Sequence, residues 1–274
     1  MKDVFLRFPG FRKRAVCLSY DDGTVHDRRL LEILDRYGLR ATVHLNSGLF
    51  GTPGRLSETE AVALYAGGRH EIALHGRNHI PFTELPEDRI LWEVLSDRER
   101  LETLFGRMVR GLAYPDGRYD SQTADLLRTC GIRYARTTET TGRFELPSDW
   151  LALHPTCRHC DVGLMELVES FLTEKPTAYF WSGGPKVFIL FGHSFEFEEA
   201  GNWDLAEQFA ATIGRRENIF YTTLGELCEY DSAYRRLEYS ADGSKVFNPT
   251  CRTIWLNNRG KEIVLGAGKT EILA

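Results

Sequence analysis

No run of about 18 consecutive apolar residues occurs in the chain, so the sequence offers no helix able to span a bilayer, and no membrane partner is expected. The opening residues, MKDVFLRFPGFRKRAVCLSYDDG, hold no apolar core of the roughly 7–15 residues that marks a secretory signal, and the expectation is a cytoplasmic protein. Cysteine is sparse. Cys17, Cys130, Cys157, Cys160, Cys228 and Cys251 are scattered over 274 residues, which fits reduced thiols rather than a disulfide framework. Cys157 and Cys160 form a lone CxxC, and without a second pair a structural zinc site there is a weak reading. Basic tracts are also missing: 34 Lys and Arg against 39 Asp and Glu give a net charge of −5, which excludes nucleic acid as an expected partner. Solenoid-type repeats and low-complexity linkers are absent.

What the chain does have is 42% hydrophobic content, enough to bury a large core, arranged as short apolar runs alternating with helical patterns. AVCLSY, ATVHLN, HEIALH, VRGLAYP, IRYART, KVFILFGH and IFYTTL read as strands. DRRLLEILDRYG, SETEAVALYAGG, PEDRILWEVLSDRERLETLFG, SQTADLLRTCG, LMELVESFLTEK and WDLAEQFAATIGRRE read as the helices between them. In the longest, Leu91, Val94, Leu95, Leu101, Leu104 and Phe105 share half of a helical wheel, the expected buried side. Repeated β–α units predict a parallel sheet of the α/β class, and about seven of them favour a distorted (β/α) barrel over an open sheet. After about residue 232 turn signals (ADG, NNRG, GAG) separate short β runs, so residues 1–231 are expected to form the barrel and 232–274 a small antiparallel appendage. That appendage caps the barrel, joins a homo-oligomer or touches substrate; the plain structural role is preferred.

In a barrel, residues at the C-terminal ends of strands carry the chemistry. Asp21 and Asp22 stand side by side at the end of the first core strand, a juxtaposition of like charges that a cation or a proton-transfer task would relieve. His75 and His79 follow the HEIALH strand four residues apart, and one helical turn there puts both imidazoles on one side. Two histidines and one carboxylate make a three-ligand site with a position left open for water, which suits zinc and also admits cobalt, nickel, manganese or iron. The remaining aspartate is then free to take a proton. His193, after the apolar run KVFILFG, either ends a strand or acts as a general acid, with Glu196 and Glu198 placed to raise its pKa.

SYDDG, HGRNH, AYPDG and LFGH, in this order over roughly residues 12–225, resemble the motifs of the polysaccharide deacetylase family, also called the NodB-homology or carbohydrate esterase 4 family. The resemblance implies a NodB-type barrel that removes acetyl groups from sugars with a bound divalent metal, most simply Zn2+. It implies Asp21 as catalytic base, Asp22, His75 and His79 as metal ligands, and His193 as catalytic acid. It sets Asp116 where a backbone N–H stabilises the oxyanion, and Phe191 beside the acetyl methyl. Two departures stand out. Ala113 occupies a position where the family often has an arginine paired with the catalytic aspartate, leaving Arg136 or Arg118 as substitutes. Asp149 and Trp150 match only half of the fourth motif. Tyr114, Trp150, Arg136 and His154 are taken as substrate-binding candidates, and the aromatics Tyr20, Tyr114, Trp150 and Trp181 either stack on a sugar or belong to the core.

The expected function is metal-dependent hydrolysis of acetyl groups from small acetylated saccharides or glycan fragments, the acetylated saccharide being the expected partner. The alternatives are an amidohydrolase of a ureide or formamide, and a carbohydrate-binding protein without turnover.

Overall fold

The structure, a computed structural model, describes residues 4–173 and 183–273; Trp181 lies outside them. The elements run β1 (Val4–Arg7), β2 (Arg14–Asp21), α1 (Asp27–Arg36), β3 (Ala41–Leu45), α2 (Glu58–Tyr65), β4 (Glu71–Leu74), α3 (Glu87–Phe105), β5 (Gly111–Ala113), α4 (Ser121–Thr129) and β6 (Tyr134–Arg136). They continue as β7 (Cys157–Arg158), α5 (Leu164–Leu172), β8 (Lys186–Gly192), α6 (Ser194–Glu199), α7 (Trp203–Ile213), β9 (Ile219–Tyr221) and α8 (Leu224–Arg235). Five short strands follow: β10 (Glu238–Tyr239), β11 (Lys245–Phe247), β12 (Ile254–Asn258), β13 (Lys261–Leu265) and β14 (Thr270–Ile272).

All eight residues of β2 are buried, as expected of a central strand covered on both faces. It lies in a parallel sheet of order β6-β5-β4-β3-β2-β8-β7, with β9 pairing the first residues of β2 alongside β3. This sheet curls into a half-barrel, the distorted NodB-type architecture. Leu153–Arg158 runs between its two ends: Leu153 hydrogen-bonds β6 through Ala135 and Thr137, and Thr156 bonds Ile189 of β8.

Strand alternation sorts the side chains. Val16, Leu18, Phe188 and Leu190 pack outward with α1, α5 and α7 in one apolar cluster. Ala15, Cys17, Ala73, Tyr134, Val187 and Ile189 point into the barrel, where Leu224, Leu227 and Cys228 of α8 meet them. Burying each α8 leucine contributes about 1.5–3 kcal/mol. The same alternation brings Ser19 and Asp21, Arg136, and Phe191 onto the interior face at the C-terminal ends of the strands.

The small sheets draw on both ends of the chain. β1 pairs antiparallel with β12, which pairs with β13, while β10, β11 and β14 form a separate antiparallel sheet. The change of texture near residue 232 falls inside α8, which joins the barrel interior and the β12 sheet in one core. No helix among the described residues is long and apolar enough to cross a membrane.

One helix departs from its apolar pattern. On α3, Leu95 is 46% exposed, whereas Glu93 and Asp97 are completely buried. Their carboxylates hold loops: Glu93 accepts from the Asn78 backbone and side-chain amides, and Asp97 accepts from the Ser47 N–H. Turning these acids inward rotates Leu95 toward solvent.

Asp27, the first residue of α1, ties three helices together by accepting from Tyr65 Oη at 2.6 Å and from Ser194 Oγ. Burial pushes its pKa up to about 6, against the opposing effect of these hydrogen bonds. The folded state therefore holds this proton more tightly than the unfolded chain, and stability falls as pH rises from about 4 to about 6. Asp27→Asn is expected to remove a pH-dependent contribution of about 3 kcal/mol from the difference between the two proteins, measured by denaturant unfolding at pH 4 and pH 7.

Candidate active site

Asp21 ends β2 with its side chain inside the barrel, and Arg136 ends β6 facing it. Three strands separate β2 from β6 in the sheet, so only the curl brings the two side chains together. Arg136 Nη2 donates to Asp21 Oδ2, and the guanidinium is completely buried. Burial pushes the Asp21 carboxyl up, but Arg136, then His75 and His44, outweigh it and hold the group well below the usual carboxylate range. Arg136 thus supplies the cation that Ala113 lacks. Its sequence assignment as a substrate-binding residue is corrected, because a side chain sealed beneath the Asp21 carboxylate has no surface left for a sugar. Arg118 pairs instead with Glu84 on the exterior.

Asp22, directly after the strand, has a positive φ of 87°. Continued strand geometry would send its side chain to the opposite face; this backbone turn swings the carboxylate to the side of Asp21. The loop carrying the histidines is irregular rather than the expected helical turn, with Gly76 at φ 73° and His79 at φ 56°. It still brings the imidazoles together edge to face, with ring centroids 4.6 Å apart. Asn46 pins the loop by donating to the carbonyls of His75 and Gly76.

His75 Nε2 and His79 Nε2 lie 3.8 and 3.9 Å from Asp22 Oδ1. His75 Nδ1 bonds the Ala113 carbonyl at 2.8 Å, which puts the proton on Nδ1 and leaves the Nε2 lone pair facing Asp22. Burial lowers the His75 pKa to about 4, so the ring is neutral at physiological pH, as a ligand must be. Asp22 Oδ1 is buried and accepts no hydrogen bond, although Arg55 Nη1 lies 2.8 Å away; that guanidinium donates to the Asp22 carbonyl instead. A buried carboxylate oxygen that accepts no hydrogen bond and faces the neutral His75 ring and the His79 ring is a donor set that fits a divalent cation. Asp22, His75 and His79 form one of two groups with metal-ligand spacing among the described residues.

His193 follows β8 and faces the aspartates, with Nε2 3.9 Å from Asp21 Oδ2 and 4.0 Å from Asp22 Oδ2. Its Nδ1 lies 3.4 Å from Glu196 Oε1, and Glu196 also accepts from the His193 backbone N–H. The sequence reading has Glu196 raising the His193 pKa; burial lowers it instead, with Asp21 and Asp22 opposing. Arg158 bonds Glu196 and neutralises its field. His159, Cys160 and Glu196 form the second group with metal-ligand spacing, its carboxylate paired with Arg158 as Asp22 is with Arg55.

Phe191 is buried under Arg136, whose guanidinium carbon lies 4.7 Å from the ring centre, so it lines the floor near Asp21. Asp116 sits in the turn after β5 with φ 56°. His154 is partly exposed near this rim, bonded to Thr137 Oγ1 at 2.7 Å. Two aromatics expected to meet sugar are buried: Tyr114 donates to the Leu151 carbonyl, and Trp150 donates its indole N–H to Asp231 below the barrel. Tyr20 is core as well, packed on His159 and Phe197. Glu93, Asp97, Asn46 and Arg55 are support residues that sequence reasoning missed. The only available signal was two acids on the apolar side of an otherwise amphipathic helix.

Residues 9–135 match the family model for polysaccharide deacetylase. This segment, a little under half of the chain, is similar to that family. This matched segment contains Asp21, Asp22, His75, His79 and Asp116, and stops one residue short of Arg136. It makes the chain a hydrolase of the deacetylase type. The fold resembles that of a Mycobacterium smegmatis protein assigned to the polysaccharide deacetylases, 19% identical over 84% of this chain and 94% of that one, with a TM-score of 0.63. A family 4 carbohydrate esterase from Streptomyces lividans, solved with acetate, is 18% identical over 76% of this chain and 92% of that one, with a TM-score of 0.50. Another from Bacillus anthracis is 14% identical over 82% and 86%, with a TM-score of 0.51. At these identities the likeness is one of fold. No curated relative matches the chain.

Removing one partner of the Asp21–Arg136 pair strands the other charge in the deacetylase interior. Arg136→Met is expected to destabilise the protein by roughly 3–5 kcal/mol, and adding Asp21→Asn to recover most of that loss. Chemical denaturation of the two single variants and the double variant checks this; an additive double variant would contradict it.

Proposed function

We propose that the chain is a metal-dependent deacetylase of small acetylated saccharides or glycan fragments. The observation that carries this reading is the buried Asp22 Oδ1, which accepts no hydrogen bond and faces Nε2 of both His75 and His79. These three residues would hold the cation, with Zn2+ preferred by the two imidazoles and one carboxylate, and Co2+, Ni2+, Mn2+ or Fe2+ also accommodated. A bound divalent ion supplies Lewis acidity and lowers the pKa of water in the site.

The remaining steps belong to the chain's own groups. Asp21, kept ionised by Arg136, takes the proton of the attacking water. The backbone N–H of Asp116, on its turned segment, donates to the oxyanion that develops on the acetyl carbonyl. Phe191 packs against the acetyl methyl. His193, across from Asp21, hands a proton to the departing amine or alkoxide; its burial-lowered pKa makes it a willing donor once protonated beside the two aspartates. Base and acid thereby remain separate groups on opposite sides of one carbonyl. His154 is the candidate for contact with the sugar itself.

Acetate release from N-acetylated and O-acetylated oligosaccharides tests the reading. His193→Ala is expected to lower turnover roughly 100- to 10,000-fold with the fold intact, and Asp21→Asn to lower it as far on a protein destabilised by the stranded Arg136. Elemental analysis is expected to find about one equivalent of metal in the wild type, lost in His75→Ala with His79→Ala. Turnover of a ureide or formamide without release of acetate from any saccharide would overturn the substrate class, and wild-type protein that retains no metal after incubation with zinc, cobalt and nickel would overturn the mechanism.

A further inference from the structure

The N-terminal ends of the strands, opposite the rim that carries Asp21 and His193, open onto a second cavity of about 300 Å³. Four arginines line it: Arg40 before β3, Arg107 and Arg110 before β5, and Arg133 before β6. Three glutamates share the lining, and each is already engaged. Glu226 pairs with Arg40, and Glu229 with Arg252 from outside the cavity. Glu71 accepts from Thr42 Oγ1, Tyr134 Oη and the Gly225 N–H.

That leaves the guanidinium groups of Arg107, Arg110 and Arg133 with no carboxylate within 4.0 Å among the described residues. Arg107 donates weakly, at 3.4 Å, to the Tyr65 carbonyl, and its Nε is buried with no hydrogen-bond partner. A buried, unsatisfied donor is costly, and the carboxylates acting on these cations, Glu71 on Arg107 and Glu102 on Arg110, do so without ion-pair contact. On a chain whose net charge is −5, this local surplus of positive charge is a focused feature. Arginines that line one concave space offer the paired N–H donors that suit a phosphate dianion. The volume is at the lower end of the range for small-molecule sites.

We propose that this cavity is a second binding site, taking a phosphorylated small molecule of about monosaccharide size, with the phosphate held by Arg107, Arg110 and Arg133. The site is separate from the hydrolytic rim, so it stands whether or not the chain deacetylates sugars.

Isothermal titration of the full chain with inorganic phosphate, and separately with glucose 6-phosphate, tests this at constant ionic strength in chloride buffer. Saturable binding at one site is expected for both, with unphosphorylated glucose giving none. Arg110→Gln and Arg133→Gln, both with side chains open to the cavity, are each expected to weaken binding about tenfold or more, while their melting temperatures in chloride stay at the wild-type value. His75→Ala, which disables the opposite rim, is expected to bind both probes as the wild type does. Three results would overturn the proposal: no saturable binding of either probe, binding unchanged in both arginine variants, or binding lost in His75→Ala.

Discussion

Asp21 and Arg136 hold one ion pair across the inside of a sheet in which three strands lie between them. A flat sheet would keep those side chains far apart, so the pair and the curl require each other. Tyr134, two residues before Arg136, repeats the arrangement one layer down by bonding Glu71 of β4, which also accepts from Thr42 of β3. The barrel interior is therefore polar at both ends, with Ala15, Cys17, Ala73, Val187 and Ile189 between. Buried polar groups of this kind specify one curvature, since any other would leave charges unpaired.

The second constraint is backbone strain, half of it at the same rim. Among the described residues, six non-glycine positions have positive φ, and Asp22, His79 and Asp116 are three of them. Such conformations persist only where their surroundings enforce them. Here the enforcement is visible: Asn46 donates to the carbonyls of His75 and Gly76, Glu93 fixes Asn78, and Asp97 fixes Ser47. The carboxylates buried on α3 are thus the supports of the loops that present the imidazoles.

Much of this was legible beforehand, and the failures have physical causes. Most strands of the parallel sheet, and the helices between them other than α6 and α8, followed from apolar periodicity, because a parallel sheet covered on both faces writes continuous apolar runs. The SYDDG and HGRNH motifs located the donor set because ligands must be specific residue types. Arg136 was visible only as one of two candidate cations: nothing in YART tells which strand it faces, since that depends on the curl. Trp150 and Tyr114 were misplaced because an aromatic ring near a motif looks the same in sequence whether it meets sugar or Asp231. Leu95 and Asp97 exchanged their expected surroundings because two local hydrogen bonds outweighed one leucine's burial.

The pairing of β1 with β12 joins residues about 250 positions apart, Val4 with Asn258 and Arg7 with Trp255. During synthesis the first strand emerges with its partner still uncoded, while the barrel's local β–α units can already assemble. Leu6 and Phe8, which end up in the core with Ile254 and Leu256, stay without that cover until β12 has been made. A chain cut short before β12 would leave Leu6 and Phe8 without the cover of Ile254 and Leu256, and so would expose an apolar edge on β1.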